Sequence, residues 1–123
     1  MTHTLIIPSR LPGLNEIIAA AKKRRGNWNR YNDTKQQGTS GVASIIRLAK
    51  LPKIGPARYA FEWQCKDKRR NPDNITAGQK VVFDALVAAG IIPNDGWDEV
   101  RSITHTFTKG KENQVIVTIT ETE

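Results

Sequence analysis

The sequence predicts a single domain over residues 1–123 with an α/β (α+β) fold, in which a mixed sheet of about four strands is packed by two or three helices. Three observations support this prediction. Residues 57–66 alternate apolar and polar side chains, residues 73–89 repeat apolar side chains at helical spacing, and two Thr-rich alternating segments follow. A chain of 123 residues is also long enough to bury a core. The predicted element order is β-α-α-β-α-β-β.

The first part of the chain predicts one short strand and two helices. Residues 4–7 have the composition of a strand, which Pro8 stops. Asn15 is a suitable N-cap for a helix that continues to residue 21. Residues 31–50 form a second helical pattern, which is weakened by glycines in its first half and ended by Pro52.

The middle of the chain predicts the clearest strand and the main helix. In residues 57–66 the odd-numbered side chains are apolar and the even-numbered ones are mostly polar, so one face of the strand should be buried. A helix from about Asp73 would bury its apolar face against the sheet. Gly90 suits the C-cap of that helix.

Two Thr-rich segments, residues 100–108 and 114–120, predict the last two strands. The sequence between them, residues 109–113, is Lys-Gly-Lys-Glu-Asn. A short polar segment with glycine between two alternating runs favours a hairpin turn. The last two strands are therefore expected to pair with each other.

The charge balance favours a polyanionic partner. Lys and Arg total 19 against 12 Asp and Glu, so the net charge is +7. This balance points to nucleic acid first, although a basic protein without such a partner is equally compatible with it. Cys65 is the only cysteine, which excludes a disulfide framework and a thiolate zinc site. No signal-peptide pattern or transmembrane run is present, so a cytoplasmic chain with no membrane partner is expected.

Two clusters of cations are the candidate DNA-binding surfaces. The first lies beside Trp28 and Tyr31, and cations with aromatic neighbours suit a nucleic-acid strand. The same cluster is also compatible with a solvated helix end. The second cluster lies immediately before Asn71. The members are Lys22, Lys23, Arg24 and Arg25 in the first cluster and Lys66, Lys68, Arg69 and Arg70 in the second.

A polar ridge is predicted on the main helix, opposite its apolar face. At roughly 100° per residue, Lys80 and Asp84 each lie about 20° from Asp73, one on either side of it. Asp95 lies in a Pro-Asn-Asp-Gly turn beyond the helix and must fold back beside Asp73 to join a site. Carboxylates beside a lysine and a basic cluster indicate metal-assisted chemistry on a phosphate, because bound Mg²⁺ neutralises phosphate charge and activates water.

Taken one at a time, the same residues fit structural roles better. Asp73 suits an N-cap, Asp95 is an ordinary turn residue, and Lys80 with Asp84 forms a surface pair at i,i+4 spacing. Their joint occurrence with a basic cluster favours the functional interpretation.

The run RRNPDNITAGQKVVFDALVAAGIIPNDGWDEV resembles the core motif of the RusA-like Holliday-junction resolvases, which are metal-dependent endonucleases of bacteria and their phages. The opening IIPSRLPGLNE and the two C-terminal strands resemble the same family, so the similarity covers most of the chain. The family pattern is Asp-x-Asp-Asn, a Lys, Asp-Ala-Leu, a Gly-containing helix end and an Asp-Asp pair. The matching positions are Asp73-Asn74, Lys80, Asp84-Ala85-Leu86, Gly90 and Asn94-Asp95.

The resemblance implies a homodimeric endodeoxyribonuclease that resolves branched DNA in recombination and repair, with Mg²⁺, or alternatively Mn²⁺, as cofactor. It implies that Asp73 and Asp95 are catalytic metal ligands and that Lys80 stabilises the phosphate or the leaving group. Asn71 stands where the family has its first Asp. Its amide oxygen can bind Mg²⁺ but carries no charge and cannot act as a general base. Asn74 and Asp84 match motif positions that would support the site.

Two alternatives remain open at this point. Asn71 is also compatible with a protein that binds junction DNA without cutting it. A basic α+β domain that binds RNA or protein ranks last, because the aromatic stacking motif of the usual RNA-binding domains is not visible. His3 and His105 are widely separated and lack metal-ligand spacing, and His105 on a strand face is expected to be a packed or surface residue.

Overall fold

A four-stranded mixed sheet forms the framework of the protein. The computed structural model describes residues 1–8 and 41–122. Within them the elements alternate in the manner predicted for an α+β domain. In chain order they are β1 (Thr2–Ile7), α1 (helical over residues 41–49), β2 (Ala57–Cys65), α2 (Pro72–Thr76), α3 (Gln79–Ala88), β3 (Val100–Lys109) and β4 (Gln114–Glu121).

The strand order corrects the hairpin prediction for β3 and β4. The order is β1-β4-β2-β3, so β2 lies between the two strands that were expected to pair. β4 pairs antiparallel with both β1 and β2, whereas β3 pairs parallel with β2. The connection from β3 to β4 crosses the end of β2, where the Gly110 N–H donates to the Cys65 carbonyl at 2.9 Å and the Lys66 N–H donates to Asn113 Oδ1 at 2.9 Å.

The central place of β2 follows from its sequence. Its inner-facing residues Tyr59, Phe61 and Trp63 are each at most 2% exposed, which confirms the predicted alternation. Phe83 of α3 packs on this face, with its ring centroid 5.0 Å from that of Tyr59 and 5.8 Å from that of Phe61. The strand with the largest apolar face gains most from a neighbour on each side, because both neighbours help to exclude water from it.

The main helix is divided. It was predicted as one helix from about residue 73, but α2 and α3 are separate, with Ala77 and Gly78 between them. The backbone tightens there, since the Gly78 N–H donates to the Ile75 carbonyl and the Val81 N–H to the Gly78 carbonyl, both at 3.1 Å and both three residues apart. Glycine has the lowest helix propensity after proline, which explains the position of the break.

The end of α3 confirms the prediction for Gly90. Its φ is +76°, the left-handed conformation that glycine adopts without a Cβ penalty. The Ile91 N–H donates to the Leu86 carbonyl and the Gly90 N–H to the Val87 carbonyl, both at 3.0 Å. These two bonds form a Schellman motif, which reverses the chain after the helix.

The remaining differences are small or lie outside the described residues. Each observed strand differs from its predicted ends by one or two residues. The helix predicted over residues 15–21 lies outside the described residues, and of the pattern over 31–50 the described part is helical over 41–49. Within residues 1–8 and 41–122, no helix combines the length and the apolar character needed to cross a bilayer.

Candidate nucleic-acid site

Lys80, Asp84 and Asp95 form an ion-pair cluster at the start of α3. The Lys80 ammonium lies 3.0 Å from Asp84 Oδ1 and donates a hydrogen bond to Asp95 Oδ2 at 3.2 Å. The hydrogen bond that Lys80 donates to Asp84, and then the one that it donates to Asp95, raise the pKa of Lys80 above its usual value. Asp95 therefore folds back to Lys80. The closer requirement, that Asp95 lies beside Asp73, stays a prediction.

The return of Asp95 follows from the end of α3. From Lys80 to the last residue of α3 the helix rises about 12 Å, and the seven residues from there to Asp95 can span about 23 Å when extended. The Schellman motif at Gly90 turns the chain back. Ile91 and Ile92 then anchor it, since they are 8% and 1% exposed and the Ile54 N–H donates to the Ile91 carbonyl at 2.9 Å.

Asn71, and not Asp73, occupies the N-cap position of α2. Its backbone is extended (φ −76°, ψ 154°), Pro72 follows at the first helical position, and the Asn71 side chain makes no capping hydrogen bond. Asp73 is an exposed first-turn residue whose Oδ1 accepts a hydrogen bond from the Asn74 N–H at 3.0 Å. The interpretation of Asp73 as the N-cap is therefore wrong, although a first-turn carboxylate still suits the positive end of the helix.

Asp73 is not one of the ion-pair partners of Lys80 in the described residues. Those partners are Asp84 and Asp95. The break at Gly78 explains the difference, because the angular arithmetic of one helix does not extend across it. The other supporting candidate, Asn74, is only 7% exposed and belongs to the interior.

The oxygen donors available here fit Mg²⁺ by chemical type. Carboxylates and amide oxygens are the ligands that hard divalent cations take, and Asp73, Asp95 and Asn71 supply both. The Asp95 side chain keeps 29% of its surface exposed and Asp73 is exposed, so solvent reaches both. Within residues 1–8 and 41–122, no group of three or more His, Cys, Asp or Glu side chains is arranged to hold a metal ion.

A cleft of about 230 Å³ lies at the carboxyl ends of β2 and β3. Because these strands are parallel, both end at the same edge of the sheet, next to the start of α2. Cys65, Asp67 and Asn71 line the cleft. Its cations are Lys68, Arg70 and Lys109, and its apolar wall is Pro72, Ile75 and Phe107.

Part of the second predicted basic cluster lines the cleft. Lys68 and Arg70 line it, whereas Lys66 and Arg69 are exposed beside it. Asp67 Oδ1 accepts a hydrogen bond from the Arg69 N–H at 3.0 Å, which shapes the loop. The first predicted cluster, Lys22, Lys23, Arg24 and Arg25, lies outside the described residues.

Sequence reasoning missed Phe107 and Lys109. Phe107 was assigned to a strand and Lys109 to the hairpin turn after it, and neither was connected with the second basic cluster. In the structure Phe107 is level with Trp63 and Lys109 with Cys65, so the end of β3 lies beside the second basic cluster. Their residue types, an aromatic and a lysine two positions apart at a strand end, were the available signal.

Both histidines have structural contacts. His3 Nε2 lies 3.2 Å from Glu121 Oε2, and Glu121 Oε1 accepts a hydrogen bond from the Gly55 N–H at 3.0 Å. The bonds from Gly55 and His3 lower the pKa of Glu121. Trp63 Nε1 donates a hydrogen bond to His105 Nδ1 at 2.8 Å, which requires that this nitrogen carry no proton. Burial lowers the pKa of His105, which also favours the neutral imidazole.

Comparison with known proteins supplies no family assignment. No protein-family model matches the chain, and no curated protein matches its sequence significantly. The resolvase hypothesis therefore depends on the motif residues and on the geometry described above.

Proposed function

We propose that the protein is a Mg²⁺-dependent, structure-selective endodeoxyribonuclease that cuts branched DNA such as four-way junctions. The observation that carries the proposal is the 3.2 Å hydrogen bond from Lys80 to Asp95. It unites two motif residues that are 15 positions apart in the sequence and that a purely local turn would not bring together. The second basic cluster lies at the start of the same crossover between β2 and β3, and Lys68 and Arg70 of that cluster line a cleft in which a polyanion would be held.

Each residue of the proposed site has a distinct role. Asp73 and Asp95, with the amide oxygen of Asn71, would hold Mg²⁺ or Mn²⁺, and a metal bound there supplies charge neutralisation at the phosphate and an activated water. Lys80 acts as a cation and not as a base, because its carboxylate partners raise its pKa and keep it protonated. Its ammonium offsets negative charge that builds up on the phosphate.

Incision of a labelled four-way junction in Mg²⁺ tests the proposal. Wild type is expected to cut, and Asp73→Asn and Asp95→Asn are each expected to abolish cutting. Asp98→Asn is the matched control, because Asp98 is an exposed carboxylate near Asp95 that takes no part in the ion-pair cluster. No incision by wild type, or equal incision by Asp73→Asn, would refute the proposal.

A second candidate function is junction binding without cleavage, and Asn71 favours it. The Asn71 side chain makes no capping bond and lines the cleft, so helix capping does not account for an amide there. This candidate predicts salt-sensitive junction binding by wild type and incision only by Asn71→Asp. If Asn71→Asp neither cuts nor binds metal, the candidate fails as well.

The nuclease proposal extends to assembly and place of action. A homodimer would match the approximate two-fold symmetry of a four-way junction and allow paired incisions. The substrate would be chromosomal or phage DNA in the cytoplasm. Light scattering on the purified protein, with and without junction DNA, tests the dimer directly.

A further inference from the structure

We propose that the cleft at the carboxyl ends of β2 and β3 binds one unstacked nucleotide of a DNA strand. Its base would stack on Phe107, and its phosphate would lie among Lys68, Arg70 and Lys109. The inference rests on the proposed function insofar as DNA is the ligand, but it does not require that the protein cut DNA.

The position of Phe107 is the first argument. It is level with Trp63 on the helix-covered face of the sheet, where Trp63 is 2% exposed. Phe107 is nevertheless 43% exposed, because it lies on the outermost strand of the described sheet. A flat apolar ring therefore faces the cleft, with Pro72 and Ile75 as the rest of the apolar wall.

The size of the cleft is the second argument. Its volume of about 230 Å³ exceeds the roughly 150 Å³ of a protein cavity that holds benzene. It is smaller than the roughly 300–1,000 Å³ of sites that enclose drug-sized ligands. One planar ring system fits, and the open side leaves room for the strand to continue.

The charge is the third argument. Among the described residues that line the cleft, Lys68, Arg70 and Lys109 are cations, and Asp67 is a carboxylate whose Oδ1 accepts a hydrogen bond from the Arg69 N–H. Cations beside an exposed aromatic ring are the combination by which proteins hold single strands, with the ring taking the base and the cations the backbone. A fully paired duplex would offer the phosphates but no free base.

Fluorescence anisotropy with a labelled oligothymidylate, and with a duplex of equal length, tests this inference. Wild type is expected to bind both, and Phe107→Ala is expected to lose about 5- to 150-fold in affinity for the single strand, the usual contribution of one stacked base. The loss for the duplex should be much smaller. Phe107→Trp should restore single-strand binding, and Trp97→Ala is the control, because Trp97 is a 95% exposed aromatic outside the cleft.

Cys65 provides a second readout that needs no variant. It is the only cysteine of the chain and lines the cleft, so bound oligothymidylate should slow its alkylation by iodoacetamide. Unchanged affinity of Phe107→Ala for the single strand, or unprotected Cys65 in the complex, overturns the nucleotide site. Protection of Cys65 that rises with protein concentration in the absence of DNA also overturns it, in favour of a second copy of the chain. The nuclease proposal is tested separately by junction incision. A failure of the nucleotide site therefore does not count against it.

Discussion

The cleft makes a quantitative prediction about salt, which is best tested by removing one of its cations. Binding of a single strand weakens with salt by a slope of about 0.7 in log affinity per log salt for each phosphate neutralised. If Lys68, Arg70 and Lys109 each neutralise one phosphate, the cleft contributes a slope of about −2. Lys109→Ala should make the slope of log affinity against log salt shallower by about 0.7. Between 50 and 200 mM salt, the fold-loss of affinity in this variant should therefore be about threefold smaller than in wild type.

The assay is anisotropy of labelled oligothymidylate over a KCl series, and Lys111→Ala is its control. Lys111 is an exposed lysine two positions further along the chain that does not line the cleft. Both variants remove one charge, so a general effect of net charge would change both slopes alike. A slope change confined to Lys109→Ala supports the cleft, whereas equal changes, or no change at Lys109, would refute it.

Three further predictions concern stability. Tyr59→Phe should raise the free energy of unfolding by about 1 kcal/mol in urea titrations, because the Tyr59 hydroxyl is buried without a hydrogen-bond partner among the described residues. Burial raises the Tyr59 pKa from 10.0 to about 12, so wild type, unlike this variant, should lose stability as the pH rises through that interval; an equal loss in both would contradict the assignment. Gly90→Ala should lower the free energy of unfolding by about 1 kcal/mol, because the backbone there is left-handed, although the added Cβ would meet open space. Gly41→Ala is the control, because its Cβ would also meet open space but its φ is not positive, and it should leave the free energy of unfolding unchanged. Because the pKa of His105 is lowered from 6.5, stability should fall as the pH drops below 6.5, and His105→Gln should reduce that loss when unfolding is followed by circular dichroism.

Local patterns in the sequence predicted most of the elements. Alternation identified β2, because successive side chains of a strand point to opposite faces, and a strand with one buried face therefore alternates apolar and polar residues. Gly90 was predictable because a left-handed C-cap has few alternatives to glycine. The sequence required Asp95 to return beside Asp73 but gave no means for the return. The Schellman motif and the buried Ile91 and Ile92 bring Asp95 back as far as Lys80.

The sheet order and the cleft could not be predicted in this way. Alternation in β3 and β4 shows that each is a strand but not which strand is its neighbour, since pairing depends on residues far away in the sequence. The parallel pairing of β3 with β2 brings Phe107 and Lys109 beside the second basic cluster. The helix break at Gly78 was also missed, because the apolar spacing continues across it and helix propensity alone is a weak guide.

Isothermal titration with Mg²⁺ tests the central claim, that Asp73 and Asp95 hold one divalent cation beside Lys80, without requiring activity. Wild type should bind the ion, Asp73→Asn and Asp95→Asn should each weaken binding by a similar factor, and Asn71→Asp should strengthen it, because it adds a charged ligand. Asp98→Asn should bind as wild type does. Mg²⁺ binding that is absent from wild type, or that is unchanged in both Asp73→Asn and Asp95→Asn, would contradict the assignment of these residues as a metal site.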